Sequence, residues 1–185
     1  MAATMPLRAA CHALHAGGVI AYPTEAVWGL GCAPLNRHAC EQLLHLKQRD
    51  WRKGLILIAA EFAQLRPYLA EVDAALLRPA LATWPGPATW LVPASKLTPE
   101  WVRGEHDSVA VRVTAHPLAA ALCRAYGGAI VSTSANRAGQ APAMTATQVR
   151  LRLGRGVDVI LPGALGGLER PTPIRDLRSG KLLRA

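Results

Sequence analysis

The residues best suited to chemistry lie in four short stretches. Lys47-Gln48-Arg49 is followed closely by Arg52-Lys53, a cluster compact enough to place two or three cations around a triphosphate, with arginine as a planar fork and lysine as a point charge. Cations held this way stabilise charge developing on a transferring phosphoryl group; on an open surface the same cluster is merely solvated. Thr24 sits in a second stretch, Tyr22 to Gly31, whose Gly29 and Gly31 let backbone amides approach a ligand, an ordinary glycine turn being the alternative. Ser132-Thr133-Ser134-Ala135-Asn136 offers hydroxyls and an amide that hydrogen-bond an amino acid or a ribose without adding charge, although the same residues serve as helix N-caps. The fourth is Arg112, set in the apolar run Val109-Ala110-Val111-Arg112-Val113. A buried charge without a partner is costly, so Arg112 is expected to face a cleft and fix a substrate carboxylate, or else to sit in a structural ion pair.

Walker, GxGxxG, HExxH and GxSxG motifs are absent, which excludes the standard loops of P-loop enzymes, dinucleotide enzymes, zinc proteases and hydrolases. The six histidines have no metal-ligand spacing and receive no catalytic role, and no metal site is expected. Five tryptophans raise base stacking as a use, but Trp84 and Trp90 flank a proline turn and read as core residues.

These stretches need rigid elements to hold them. Helical spacing predicts helices over Met5 to Ala16, Arg37 to Leu46, Glu61 to Tyr68, Val72 to Thr83, Pro117 to Tyr126 and Thr147 to Leu153. Apolar runs predict strands at Val19 to Tyr22, Leu55 to Ala60, Thr89 to Val92, Val109 to Val113, Ala129 to Ser132, Val157 to Leu161, Ile174 to Leu177 and Leu182 to Arg184. Residues 24 to 36 read as one glycine- and proline-punctuated loop, Trp84-Pro85-Gly86-Pro87 as a turn and 163 to 167 as a glycine-rich loop. Strands and helices mostly alternate, so the expected fold is α/β: one domain over residues 1–185, with a twisted mixed sheet flanked by helices. Ligands are then expected at loops on strand ends.

Composition agrees. With 185 residues and 51% hydrophobic side chains but one Phe and three Tyr, the core is built from Ala, Leu and Val. No apolar run reaches the ~20 residues of a membrane helix. Cys11, Cys32, Cys40 and Cys123 match neither a zinc nor a redox spacing and are read as reduced, buried thiols of a cytoplasmic protein. The net charge of +9 favours polyanions such as RNA or nucleotide phosphates.

Together the stretches resemble the YrdC-like family over about Gly17 to Arg184. The family's PTET-Y/F-GLG segment corresponds to Pro23 to Gly31, its KxR to Lys47 and Arg49, its VAVR-x-x-x-HP to Val109 to Pro117, its SxN to Ser134 and Asn136, and its IRD to Ile174-Arg175-Asp176. The resemblance implies a concave basic face and the conversion of L-threonine, bicarbonate and ATP, with Mg2+, into threonylcarbamoyl-AMP and pyrophosphate. The product would pass to downstream threonylcarbamoyl transferase proteins that modify tRNA. It further implies that Thr24, Arg112, Ser132, Ser134 and Thr172 hold threonine, that Lys47, Arg49, Lys53, Ser134, Asn136 and Arg184 hold ATP, and that Lys47 and Arg49 supply the catalytic charge. Ile58 stands where longer members carry a His near threonine, and the additional C-terminal domain of long forms, whose linker helps cover the site, is not expected here. The competing reading is a non-catalytic module for double-stranded RNA or ribosomal RNA maturation. A weaker one is the related step of a larger hydrogenase-maturation protein, whose zinc and acylphosphatase modules have no counterpart in this sequence.

Overall fold

The structure, a computed structural model, describes residues 4–184. Helix α1 (Met5–His15) ends at Gly17, which takes a left-handed φ of 82°, and leads into the hairpin of β1 (Ile20–Pro23) and β2 (Trp28–Gly31). Asn36 then caps α2 (Arg37–Lys47) by accepting the Ala39 amide. There follow β3 (Ile56–Ala59), α3 (Ala74–Ala82), β4 (Thr89–Pro93), the single turn α4 (Glu100–Arg103), β5 (Ser108–Val113), α5 (Pro117–Tyr126), β6 (Ile130–Ser134), α6 (Ala146–Leu153), β7 (Val159–Ile160), β8 (Ile174–Asp176) and β9 (Leu182–Arg184).

The strands form one mixed sheet in the order β7-β1-β2-β6-β3-β5-β4-β8-β9, with β1–β7, β3–β5 and β4–β8 parallel. Because side chains alternate across a sheet, each face builds its own layer. Leu30, Leu57, Val111 and Val131 join Leu43 of α2 and Leu77 of α3 in the larger cluster. On the opposite face Ile20, Tyr22, Ile58 and Ile130 join Leu7 and Leu14 of α1 and Leu122 of α5.

The second layer stops short. Cross-strand register places Ser132, Ile56, Ala110 and Leu91 in one row across β6, β3, β5 and β4. Ile56, Ala110 and Leu91 stay only half-buried, and none belongs to the buried core under α1 and α5. One pleat further along lie Ile130, Ile58 and Arg112. This partly bare row is the floor on which the site is built.

Several expectations change. The expected loop 24–36 contains β2, a central strand between β1 and β6. Gly29 and Gly31 weaken its strand signal but are what let it fit: a Cβ on Gly31 would lie 2.6 Å from the Val131 carbonyl oxygen and 2.9 Å from Tyr22 Cε1. Gly31→Ala is therefore expected to cost about 1–3 kcal/mol, read as a fall in Tm of about 2–4 °C per kcal/mol in thermal unfolding. The helix expected over Glu61 to Tyr68 is two short 3-10 turns, Phe62–Gln64 and Arg66–Tyr68, since Pro67 supplies no amide to continue it. β7 is only two residues long, and β6 runs on to Ser134. Ser132 and Ser134 are thus strand residues; no helix starts there, which removes the N-cap alternative. Trp84 and Trp90 donate their indole N–H groups to Ala88 O at 2.7 Å and Thr83 Oγ1 at 3.0 Å, as structural residues do.

Candidate functional site

A cavity of about 360 Å³ opens over the bare row, with Ile56, Ala110 and Leu91 in its lining. Its walls are the Thr24–Val27 turn, the loop after α2, the Pro171-Thr172 segment and β9. Arg49, Lys53, Arg103, Arg112 and Arg184 all line it, and among the described residues its lining contains no aspartate or glutamate.

Arg112 is 5% exposed, and it both faces a cleft and takes part in an ion pair. Its guanidinium lines the cavity, donating from Nη1 to Thr172 Oγ1 at 2.5 Å, and it also pairs with Glu25, Nη2 lying 3.4 Å from Oε2. Glu25, likewise 5% exposed, accepts a hydrogen bond from Thr114 Oγ1 at 2.6 Å on its other oxygen. Burial pushes the Glu25 carboxyl up, but Arg112 and then the Thr114 hydroxyl outweigh it and hold it below the usual range. Arg112 Nε and Glu25 Oε2 have no hydrogen-bond partner. Thr24 beside them donates its hydroxyl to Val27 O at 2.7 Å, which leaves the oxygen's lone pairs as acceptors. The Thr24 and Glu25 carbonyls in turn receive the amides of Gly166 and Leu168 at 3.0 and 2.9 Å, fastening the glycine-rich loop to this turn. A Cβ on Gly166 would lie 2.9 Å from Glu25 Cα, so the approach needs glycine.

The loop after α2 sorts the two cations of the KxR pattern. Gln48 adopts a left-handed conformation, φ 52° and ψ 42°, as the helix C-cap, and the flanking residues diverge. Lys47 is 4% exposed and turns inward, its ammonium donating to the carbonyl of Ser134 and, at 2.9 Å, to that of Asn136. Burial, then the nearby Arg49, pull its pKa down to about 8. Arg49 turns to the cavity and is pinned by Nη2 donating to Gly54 O at 3.0 Å; partial burial lowers its pKa. Arg184 donates to Thr172 O at 2.8 Å, and burial, then Arg112 and Arg49, push it down. Such mutual repulsion among cations calls for an anion.

Of the residues expected at the site, Thr24, Arg49, Lys53, Arg112, Ser132, Ser134, Thr172 and Arg184 line one cavity. Lys47 and Asn136 do not: Lys47 stands behind the Ser134–Asn136 turn, within which the Asn136 amide donates to Arg137 O and Gln140 O at 2.9 and 2.7 Å. Ile58 belongs to the core under α1 and α5 rather than to the cavity lining. Sequence reasoning missed Arg103. It reaches the cavity because Gly54 and Gly104, with φ of 64° and 70°, bring two loops back to back: a Cβ on Gly104 would lie 2.2 Å from Arg52 O. Glycines directly after Lys53 and Arg103 were the available signal.

Among the described residues no group of three or more His, Cys, Asp or Glu is placed to hold a metal ion, and no helix is long and apolar enough to cross a membrane.

Comparison with known proteins places this geometry in a family. The chain is 58% identical over 178 residues to the threonylcarbamoyl-AMP synthase of Halorhodospira halophila, covering 96% of this chain and 93% of that protein. It is 54% identical over 178 residues to the synthase of Nitrosococcus oceani, covering 96% of each. The crystal structure of P. abyssi Sua5 complexed with L-threonine superposes with a TM-score of 0.89 at 30% identity over 96% of this chain, which spans 53% of that longer protein. E. coli YciO superposes with a TM-score of 0.85 at 27% identity, over 96% of this chain and 87% of that one. A family model described as telomere recombination, for the Sua5, YciO and YrdC proteins, matches residues 12–185, and the chain belongs to that Sua5/YciO/YrdC family.

Proposed function

We propose that this chain is a threonylcarbamoyl-AMP synthase, acting as a single domain in the cytoplasm and supplying the tRNA-modifying transferase proteins downstream. The threonine amine and bicarbonate form a carbamate and release water; a carbamate oxygen attacks the α-phosphorus of ATP, and pyrophosphate leaves. One observation carries this reading: a cavity whose described lining holds no aspartate or glutamate has Arg112 beside the hydroxyls of Thr24, Ser132 and Thr172, with Arg49, Lys53 and Arg184 around the same space.

On this reading Arg112 takes the threonine carboxylate as a charge-assisted pair, and Thr24, Ser132, Ser134 and Thr172 direct the amine and the side-chain hydroxyl. Arg49, Lys53 and Arg184 hold the polyphosphate with Ser134, while Lys47 adds charge from behind the Ser134–Asn136 turn, which the Asn136 amide braces. Proximity and charge stabilisation then suffice for catalysis. Magnesium enters on ATP. Among the described residues the cavity lining offers no carboxylate to hold it, so its ligands would be the phosphates.

The test is a pyrophosphate-release assay with ATP, magnesium, L-threonine and bicarbonate. Release that needs both threonine and bicarbonate, and yields the adenylate, is the expected result. Threonine-independent hydrolysis, or no turnover together with salt-sensitive binding of double-stranded RNA, would defeat the proposal. The RNA module alone gives no reason for a buried Arg112–Glu25 pair beside a small polar cavity.

A further inference from the structure

The reaction leaves one proton unaccounted for. Amino acids reach an enzyme at neutral pH as α-ammonium ions, and an ammonium has no lone pair with which to attack carbon. In most sites of this kind a carboxylate or imidazole takes the proton. Among the described residues neither lines this cavity.

The charged groups facing the cavity can be taken wall by wall. The loop after α2 contributes Arg49 and Lys53, β5 contributes Arg112 and β9 contributes Arg184, while Arg103 at the end of α4 also lines the space with its Nη1 donating to His106 O at 2.7 Å. No described carboxylate lines the cavity, and Asp50, next to Arg49, accepts the Arg52 amide at 3.0 Å. Glu25 is buried behind Arg112 and bonded to Thr114, and Asp176 accepts the Ser179 amide and hydroxyl, both at 2.7 Å. His116 is committed as well, with Nδ1 at the Ala119 amide and Nε2 3.0 Å from Ala164 O. The wall beyond β6, represented in the lining by Pro142, adds no charge.

We infer that this cation cluster activates the amino-acid substrate by charge alone, expelling the proton of its α-ammonium to solvent so that the amine attacks as a neutral nucleophile with no side chain acting as base. The inference rests on the synthase reading. The balance is R–NH3+ giving R–NH2 and a proton to water, then R–NH2 and HCO3− giving R–NHCOO− and H2O. The first step runs in the direction the cavity favours: it removes a cation from a space lined by Arg49, Arg112 and Arg184, and nearby like charges disfavour the charged form. The second step conserves charge and gathers both negative charges onto one molecule, which the same cations then hold. The hydroxyl oxygens of Thr24 and Ser132 remain as neutral acceptors for the amine hydrogens. Arg103 and Arg184 thereby acquire a role besides phosphate binding: they set the field in which the amine loses its proton.

The test measures protons rather than turnover. Threonine is titrated into the protein without ATP at pH 7.5 by calorimetry, in two buffers of different ionisation enthalpy, beside 2,3-dihydroxybutanoate, which keeps the carboxylate and side chain but replaces the ammonium by hydroxyl. Expected is release of more than half a proton per threonine bound, none for the analogue, and a release at least halved in the Arg103→Gln/Arg184→Gln variant, which still binds the analogue through Arg112. In steady-state assays the acid limb of kcat/KM for threonine should move up by about one pH unit in that variant. Threonine binding without proton release overturns the inference, and so does equal release with the analogue, because the proton then comes from the protein. Either result leaves the synthase reading intact; failure of both ligands to bind defeats that reading and this inference with it.

Discussion

Arg112→Ala is expected to abolish threonine-dependent pyrophosphate release and to destabilise the fold in the same stroke. The substitution removes the donor to Thr172 and strands the Glu25 carboxylate in the interior with the Thr114 hydroxyl as its remaining side-chain partner. Breaking one partner out of a buried pair costs about 3–5 kcal/mol, so lost activity alone would be ambiguous. The decisive variant is Arg112→Met combined with Glu25→Gln. Neutralising both partners with side chains of similar volume restores most of the stability, while a substrate carboxylate loses the Arg112 guanidinium beside Thr24 and Thr172. Loss of such a pair is worth about 2–5 kcal/mol, or roughly 30- to 5,000-fold in kcat/KM for threonine, with KM for ATP little changed. A stable double variant with normal threonine kinetics would reduce Arg112 to a structural ion pair.

That outcome also bears on what the sequence could disclose. A lone arginine in an apolar strand pointed to a cleft or to an ion pair, and it serves both, because Glu25 reaches it from a turn 87 residues earlier in the chain. β3, β5 and α5 were legible from apolar runs and a proline at the first helical turn, and the chemistry-bearing stretches do meet, although over a bare row on one face of the sheet rather than at strand ends alone. β2 was hidden because its glycines, required by the close approach of Tyr22 and Val131, are the residues that mask a strand. Arg103 was hidden for a related reason, since the contact of Gly54 with Arg103 and of Gly104 with Arg52 is long-range and leaves no local period. The destination of Lys47 turns on one left-handed residue, Gln48, a conformation that is uncommon outside glycine and has no strong sequence signal here.

Lys47→Met tests that destination through pH. In the folded chain the Lys47 ammonium titrates at about 8, against an ordinary value of 10.5, because burial and then Arg49 disfavour its charge. Below pH 8 folded and unfolded chains both hold the proton, and the cost of burying the charge is fully present. Between pH 8 and 10.5 the unfolded chain binds more protons than the folded one, so stability rises with pH. A difference of that size corresponds to roughly 2–4 kcal/mol. Urea unfolding at pH 7.5 and pH 10 should therefore show the wild type gaining about this much relative to Lys47→Met; buried Tyr22 and Cys123 titrate in both proteins and cancel in the comparison. Function should run the other way. Lys47 holds the carbonyls of Ser134 and Asn136, so its loss frees the turn beside the proposed ATP site as well as removing charge, and kcat/KM for ATP should fall about 10²–10³-fold. In the wild type, ATP affinity should weaken as pH rises through 8, while the variant binds weakly at every pH. Identical unfolding increments in the two proteins would mean that Lys47 does not hold a buried charge, and its place behind the Ser134–Asn136 turn would then have no electrostatic consequence.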